Sequence, residues 1–214
     1  MIYITHIQME FDYEKLVKVG EKEYLCGTRN FTLMYDQYLY VVPNDIMNLK
    51  YLTYLNLSFT SIRTIENLEF PELTELFIHH AKIEIISGLE KLTKLKKLNL
   101  EHNDIVKISG LNNCKNLIAL CLSNNKIKKI ENIPSSLEYL YIDNNQIIVD
   151  DYAIKTINKL EKLYEISLRN NIVSDHKILL KLKNIKSLII LPSNRDEQDY
   201  EKFKVLEDVE FDVK

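Results

Sequence analysis

Three histidines, His79, His80 and His102, lie within 24 residues of one another in this chain. Imidazole side chains that lie close together could bind a metal ion or titrate near neutral pH. His79 and His80 are adjacent, and Glu101 and His102 form a second such pair further along. A zinc site needs three or four convergent ligands. Neighbouring residues of one strand point to opposite faces of a sheet, so His79 and His80 are poorly placed to converge. We therefore expect no metal site, and we favour a solvated polar patch that is sensitive to pH near about 6.5.

Cys121 is the residue that could act as a nucleophile, with a distant histidine as its base. Nucleophilic catalysis also needs donors that stabilise the intermediate. Cys121 lies between Ala119 and Ser123 in a predicted strand, where the sequence offers no such donors. The chain also lacks the Gly-x-Gly-x-x-Gly, Gly-Lys-Ser/Thr, His-Glu-x-x-His and Gly-x-Ser-x-Gly motifs. The sequence therefore predicts no catalytic residue, no cofactor and no enzyme.

One repeated pattern positions all of these residues. Leu-x-x-Leu-x-Leu-x-x-Asn begins at Leu95, Leu117 and Leu137 (with Ile142 as the third apolar residue of the last), and related patterns begin at Leu52, Leu73, Leu163, Ile185 and Leu206. The intervals between these markers run from 20 to 26 residues, as expected for a stack of structural repeats. Each marker opens a stretch in which apolar residues alternate, which predicts a strand with one buried face. Consecutive strands should therefore lie side by side and parallel.

The segment after each strand returns the chain to the next one, and its apolar residues are spaced by three. Most of these segments are too short for a full helix, so we expect extended or 3₁₀ structure there. Two carry an aspartate cap before apolar helical spacing, which predicts helices near 151–162 and 175–184. Residues 1–30 break the rhythm and are interpreted as an N-terminal cap with strand character. Residues 31–214 are predicted to form about 7–8 repeats that end in a capping strand.

These residues resemble the signature of leucine-rich repeat proteins of the short 21–22-residue class, such as phosphatase regulators and bacterial internalins. The resemblance covers most of the chain, from about Val41 to Lys214. It implies an α/β solenoid: a right-handed horseshoe with a parallel β-sheet on its concave face. It also implies protein binding as the default function.

In this family the asparagine that closes the pattern bonds backbone groups inside the turn after the strand. Asn103, Asn125, Asn145 and Asn171 match that position. The chain departs from the pattern at Thr60, Ala81 and Ser193. The two hydroxyl residues can still form a hydrogen bond, whereas Ala81 cannot, so we expect a local irregularity or a water molecule there.

The composition narrows the choice of partners. The formal net charge is −3, and no apolar run is long enough to span a membrane. The odd count of 3 cysteines and the absence of a signal-like start favour an intracellular, cytoplasmic protein with reduced thiols. Lysines from Lys91 to Lys129 could form a basic edge for RNA, but the acidic balance favours an ordinary solvated surface.

Side chains between the buried leucines should face a partner on the concave side. Aromatic residues on such a preformed surface are typical of binding hot spots, although they could simply stack on one another. We predict a non-enzymatic adaptor that binds a protein on this face; the alternatives are a ribonucleoprotein component and a self-associating scaffold. The predicted partner-binding residues are Tyr54, Phe59, Glu75, Phe77, His79, Glu101, Tyr139, Tyr141, Asp143 and Arg169.

Overall fold

The computed structural model describes residues 16–19, 21–66, 68–173 and 175–190. Within these ranges the main feature is a parallel sheet of eight strands, which follow one another in chain order from one edge to the other. Its strands are β3 (Asn30–Thr32), β4 (Tyr54–Asn56), β5 (Glu75–Phe77), β6 (Lys97–Asn99), β7 (Ala119–Cys121), β8 (Tyr139–Tyr141), β10 (Glu165–Ser167) and β12 (Ser187–Ile189). The predicted leucine-rich-repeat horseshoe, with this sheet on its concave face, is confirmed.

The strands pair in register, so equivalent residues of successive repeats lie beside each other. Leu76 pairs with Leu98, which pairs with Leu120, and this row continues through Leu140 and Ile166. All five side chains are at most 2% exposed. No single three-residue strand could bury its leucine alone, and the neighbouring repeats complete each burial. The sheet is therefore a rigid base for the side chains on its other face.

The return segments contain little regular structure. A 3₁₀ helix covers Asn44–Asn48, and the two short strands β9 (Ile148–Val149) and β11 (Ile172–Val173) pair in parallel. The predicted helix near 151–162 is found as α1 (Asp151–Ile157), which Asp150 caps by accepting a hydrogen bond from the Ala153 N–H at 2.9 Å.

The second predicted helix, near 175–184, is shorter than expected and is a 3₁₀ helix over His176–Lys181. Asp175 caps it by accepting a hydrogen bond from the Lys177 N–H. The repeat from Leu163 to Ile185 has 22 residues, against 26 in the repeat that contains α1. A 3₁₀ helix rises about 2.0 Å per residue, whereas an α-helix rises about 1.5 Å per residue. The 22-residue repeat has fewer residues to cover the same distance, and it therefore contains the more extended 3₁₀ helix.

An antiparallel hairpin precedes the sheet and lies inside the range predicted as the N-terminal cap. It consists of β1 (Leu16–Val19) and β2 (Lys22–Leu25). The Tyr24 ring packs edge-on against Phe31 of β3 with centroids 5.1 Å apart, so the hairpin covers the first repeat. The cap boundary at residue 30 stays a prediction. Residues 1–15, Ser193 and the capping strand after Leu206 lie outside the described residues.

Four asparagines connect successive repeats in the turn after each strand. The Asn125 side-chain amide donates to Leu100 O in the preceding repeat and to Leu122 O in its own repeat, both at 3.0 Å. Its Oδ1 accepts from the Ile105 N–H at 2.9 Å. Asn103, Asn145 and Asn171 make the equivalent bonds. Each asparagine therefore satisfies buried backbone groups of two repeats.

The exceptions to the asparagine pattern keep the same backbone path. Thr60 Oγ1 donates to Leu57 O at 2.9 Å, as its hydroxyl allows. The backbone irregularity expected at Ala81 is not found, because β5 pairs in register on both sides and the preceding His80 has the φ of its counterparts, 52°. The carbonyl of Ile78 accepts a hydrogen bond at 2.8 Å from the side-chain amide of Asn103 in the next repeat. This bond supports the turn at Ala81, whose own side chain cannot form a hydrogen bond.

Within the described ranges, no helix is both long and apolar enough to cross a bilayer.

Candidate partner-binding surface

The concave face consists of side chains that alternate with the buried leucines, and most of them are half-buried. Tyr54 of β4 and Phe77 of β5 pack together with ring centroids 5.3 Å apart. The Tyr54 hydroxyl also accepts a hydrogen bond from the Asn56 amide at 3.2 Å. These two predicted binding residues therefore form one preformed aromatic unit rather than two independent rings.

Several predicted charged residues of this face are bound to other residues of the chain. Lys97 Nζ lies 2.9 Å from Glu75 Oε1 on the neighbouring strand. Asp143 accepts from Ser167 Oγ at 2.5 Å and from the Arg169 N–H at 2.7 Å. Burial raises the pKa of Asp143 above its ordinary value, while these hydrogen bonds and the Arg169 charge oppose that shift. The Asp143 carboxylate therefore joins its own repeat to the next one through Ser167 and the Arg169 backbone, and the role of Asp143 and Arg169 in orienting a partner stays a prediction.

Tyrosines cluster around one carboxylate at the C-terminal part of the face. The Tyr141 hydroxyl donates to Glu165 Oε1 at 2.6 Å. Burial, and next this hydrogen bond, raise the pKa of Tyr141 far above its usual value, so its hydroxyl stays protonated. The Tyr139 ring lies 6.1 Å from the exposed Tyr164 ring, which the sequence analysis did not single out. Tyr164 directly follows the marker Leu163 and precedes the strand β10. The alternation rule does not assign this position to either face of the sheet.

A second row of side chains runs along the edge of this face, where the chain turns after each strand. These residues all have a left-handed backbone: Tyr35, Phe59, His80, His102, Asn124, Asn144 and Asn170. The prediction that Phe59 lies on the concave strand is therefore wrong: its φ is 58° and it belongs to the turn. Asparagine tolerates this conformation, whereas phenylalanine and tyrosine rarely adopt it.

Four of these residues form a continuous stack of rings, which we call the rim stack (Tyr35, Phe59, His80 and His102). Successive ring centroids are 4.8, 4.5 and 4.0 Å apart, and the interplanar angles are 8–18°. Parallel strands bring equivalent turn positions close together, which is why the rings meet. The sequence did not predict a role for Tyr35, because its repeat lacks the full leucine pattern. Phe31 could have identified this repeat, since it pairs with Leu55 and is buried in the row of leucines.

The His79 and His80 rings contact each other, although the alternation of a strand would place them on opposite faces. His79 is on the strand side and His80 is in the turn, so they do not point to opposite faces; their rings are 5.5 Å apart, edge to face. Burial and then the charge of His80 lower the pKa of His79, and burial and then His102 lower the pKa of His80. Within the part of the chain that the structure describes, no three His, Cys, Asp or Glu side chains are grouped so as to hold a metal ion.

Cys121 and Cys114 are poor nucleophiles. Cys121 lies on β7 with Sγ 3.9 Å from Glu101 Oε2. Burial, opposed by hydrogen bonds from Ser123 and supported by the Glu101 charge, raises the pKa of Cys121 to about 11. Cys114 is fully buried in a leucine position of the repeat, and burial raises its pKa to about 11 as well. Neither thiol is ionised at neutral pH.

The lysines of the suggested basic edge are partly neutralised by carboxylates of adjacent repeats. Lys94 pairs with Glu72 at 2.6 Å, Lys126 pairs with Asp104 at 2.7 Å, and Lys107 lies 3.6 Å from Glu131. These exposed pairs contribute little to stability. They nevertheless offset part of the positive charge in this region.

Comparisons with known proteins agree with the repeat architecture. A family model described as leucine rich repeats (2 copies) matches residues 93–135. No curated protein has a sequence that matches significantly. An internalin (inlF) from Listeria monocytogenes is structurally similar with a TM-score of 0.66 and 25% identity, over 81% of this chain and 53% of that chain. A leucine-rich repeat protein from Leptospira interrogans gives a TM-score of 0.66 and 29% identity, over 88% and 49%.

A third solved structure, an internalin C2 from Listeria monocytogenes, shares the fold with a TM-score of 0.61 and 24% identity, over 74% of this chain and 80% of that chain. The chain spans about half of the length of the first internalin and of the Leptospira protein. The repeat pattern, the in-register parallel sheet and the structural neighbours agree that this chain is built of leucine-rich repeats and has their horseshoe fold.

Proposed function

We propose that this chain is a non-enzymatic, intracellular adaptor or regulatory subunit that binds a segment of a protein partner on its concave face. Leucine-rich repeat proteins generally mediate protein–protein interactions, and they are typically not enzymes. The observation that carries the proposal is the aromatic and polar surface held in place by the rigid sheet, with the Tyr54–Phe77 pair at one part and Tyr139 and Tyr141 at another.

Preformed aromatic side chains suit binding for an energetic reason. Association loses free energy when flexible side chains become ordered, and rings that already pack against each other lose less. Tyrosine and phenylalanine also offer large contact areas with few rotatable bonds. The predicted anchors Tyr54, Phe77, Tyr139 and Tyr141 are held by ring or hydroxyl contacts before any partner arrives.

The ribonucleoprotein alternative has weaker support. Phosphate binding requires free cations along one surface, whereas Lys94, Lys107 and Lys126 each have a carboxylate neighbour. Catalysis also has weak support, because the pKa of Cys121 is about 11. If the chain were a self-associating scaffold, its sedimentation should change with protein concentration. Sedimentation at two protein concentrations therefore distinguishes this alternative from a chain whose concave face is free to bind a partner.

The direct test removes two anchors together, with the double variant Phe77→Ala and Tyr141→Ala. The matched control is Tyr152→Ala, which removes an exposed tyrosine on α1 in a return segment. A partner is identified by affinity capture and mass spectrometry and is then purified for calorimetry. If each ring contributes as a hot spot, about 2 kcal/mol or more, the double variant should weaken binding by about a thousandfold. Undiminished affinity in a folded double variant would refute the assignment of the concave face.

A further inference from the structure

The tyrosine cluster of β8 and β10 has a composition that points to a class of ligand. Tyr139, Tyr141 and Tyr164 lie on or next to β8 and β10 together with Glu165, and we call these four residues the tyrosine–carboxylate cluster. Tyr139 and Glu165 are directly paired across the two strands, and Tyr141 is bonded to Glu165 Oε1 at 2.6 Å. The Tyr139 and Tyr164 rings are inclined at 54° with centroids 6.1 Å apart. Ring faces beside a carboxylate attract cations.

Glu165 lacks a cation of its own in the described part of the chain. On the same face, Glu75 is paired with Lys97, and the charge of Arg169 acts on Asp143. Glu165 makes no ion pair within the described residues, and the hydrogen bond that it accepts comes from a neutral phenol. Its negative charge is therefore uncompensated by a cation of this chain, and the side chain is partly exposed and open to an incoming group. A positively charged group would gain from both features.

The neighbouring strand leaves space beside this cluster. β7 places Ala119 next to Tyr139 and Cys121 next to Tyr141. Alanine and cysteine are the smallest side chains at these two positions among β4 to β8, where the other strands carry tyrosine, asparagine, phenylalanine or charged residues. The Tyr139 and Tyr141 rings consequently stand beside a shallow step in the face. A side chain that lies across β7 can reach the cluster without displacing a bulky residue.

We propose that the tyrosine–carboxylate cluster receives an arginine side chain from a basic segment of the protein partner. This inference rests on the proposed function and adds the chemistry of the partner. A guanidinium group is planar, stacks on tyrosine rings and binds a carboxylate through two N–H groups. Tyr139 and Tyr164 provide the ring faces, Glu165 provides the anion, and the hydrogen bond from Tyr141 holds Glu165 in place. Tyr141 is thus a positioning residue for the carboxylate.

The test uses the whole chain and two matched synthetic peptides. One is acetyl-Gly-Ser-Arg-Gly-Arg-Ser-Gly-amide; in the other both arginines are replaced by citrulline, which has the same shape without the charge. Each is titrated into protein labelled for NMR, and the aromatic resonances of Tyr139 and Tyr164 are followed. The arginine peptide should shift these resonances and should bind roughly tenfold more tightly than the citrulline peptide.

Three variants complete the design. Glu165→Gln should weaken binding of the arginine peptide roughly five- to tenfold, and Tyr139→Ala should do the same by removing a ring face. Tyr152→Ala on α1 should leave binding unchanged. Equal affinity for the arginine and citrulline peptides would overturn the inference, and so would shifts confined to residues outside the cluster or undiminished binding by Glu165→Gln.

Failure of this inference is distinguishable from failure of the proposed function. The peptide titration reports on the cluster alone and needs no natural partner. If the citrulline peptide binds as well as the arginine peptide while the Phe77→Ala and Tyr141→Ala double variant still loses the purified partner, only the arginine assignment is wrong. If the arginine peptide binds as expected and the double variant retains the partner, the cluster is a cation site and the concave face is not where that partner is held.

Discussion

Replacement of Asn125 by alanine should produce a loss of stability far larger than a surface substitution would cause. The Asn125 amide donates to the carbonyls of Leu100 and Leu122, and its oxygen accepts from the Ile105 N–H. The side chain is 8% exposed, so water has little access to these groups. The substitution removes four hydrogen bonds in the middle of the array: those with Leu100 and Ile105 join two repeats, and those to Leu122 O and Ser123 O brace the turn of its own repeat.

The magnitude follows from which groups keep a partner. Leu100 O still accepts from Asn103, and Leu122 O still accepts from Asn145, both at 3.0 Å. The Ile105 N–H loses the acceptor that Asn125 provides. An orphaned buried donor costs about 1–3 kcal/mol and each lost bond to a carbonyl about 0.5–1.5 kcal/mol. We therefore expect the free energy of unfolding to fall by about 3–4 kcal/mol, a large share of the total for a typical domain.

Urea denaturation monitored by far-ultraviolet circular dichroism measures this change, with the midpoint and slope of the transition fitted together. Asn112→Ala is the matched control, because Asn112 is an exposed asparagine in a return segment. The control should change the free energy of unfolding by less than about 0.5 kcal/mol. A loss below about 1 kcal/mol for Asn125→Ala would refute the argument, since it would mean that water replaces the amide at little cost.

The converse substitution, Ala81→Asn, should stabilise the chain. An asparagine there can donate to Leu57 O and Ile78 O and can accept from the Ile62 N–H, by analogy with the other repeats. Leu57 O already accepts from Thr60 and Ile78 O from Asn103, and a carbonyl can accept two hydrogen bonds. We expect a gain of about 0.5–1.5 kcal/mol in the same urea assay. A decrease would show that the turn at Ala81 has no space for the amide.

Three further predictions concern single positions. Gly110→Ala should destabilise the chain by at least about 1–2 kcal/mol in thermal unfolding, because Gly110 has a φ of 69° and an added Cβ would lie 2.3 Å from Ile86 O. His79 and His80 should titrate below 6.5 by NMR, since burial and the neighbouring imidazoles lower their pKa values. The folded chain then binds fewer protons than the unfolded chain, so stability should fall as the pH drops through 6.5. Cys121, with a pKa of about 11, should react with iodoacetamide at pH 8 far more slowly in the folded chain than in urea.

The sequence predicts the sheet well because a single physical rule, alternation with one buried face, acts on every strand. Leu55, Leu76 and Ile166 are buried as that rule requires. The register follows too, since each repeat takes the same path as the one before it. The return segments depend on the number of residues available to span a repeat, and this is why the segment after Asp175 forms a 3₁₀ helix although its apolar spacing resembles that of α1.

The candidate site is less accessible to sequence reasoning, because contacts between side chains of different repeats decide its state. The alternation rule assigns Asp143 and Tyr141 to the concave face, but it cannot show that the first accepts hydrogen bonds from the next repeat or that the second is bound to Glu165. It also assigned Phe59 to a strand, because the rule does not say where the strand ends. The positive φ of Phe59 depends on the turn geometry rather than on the residue's own preference.

The rim stack is the feature that the fold itself does not require. At the same turn position, Asn124, Asn144 and Asn170 provide a left-handed backbone at a lower steric cost than aromatic residues do. Tyr35, Phe59, His80 and His102 offset that cost in part by stacking, but asparagine would meet the requirements of the turn without rings. Strained residues that the architecture can dispense with are concentrated at functional sites in proteins. The rim stack therefore adds support to the proposal that the N-terminal half of this face, with Phe59 at its edge and the His79 ring 5.0 Å from Phe59, contacts a partner.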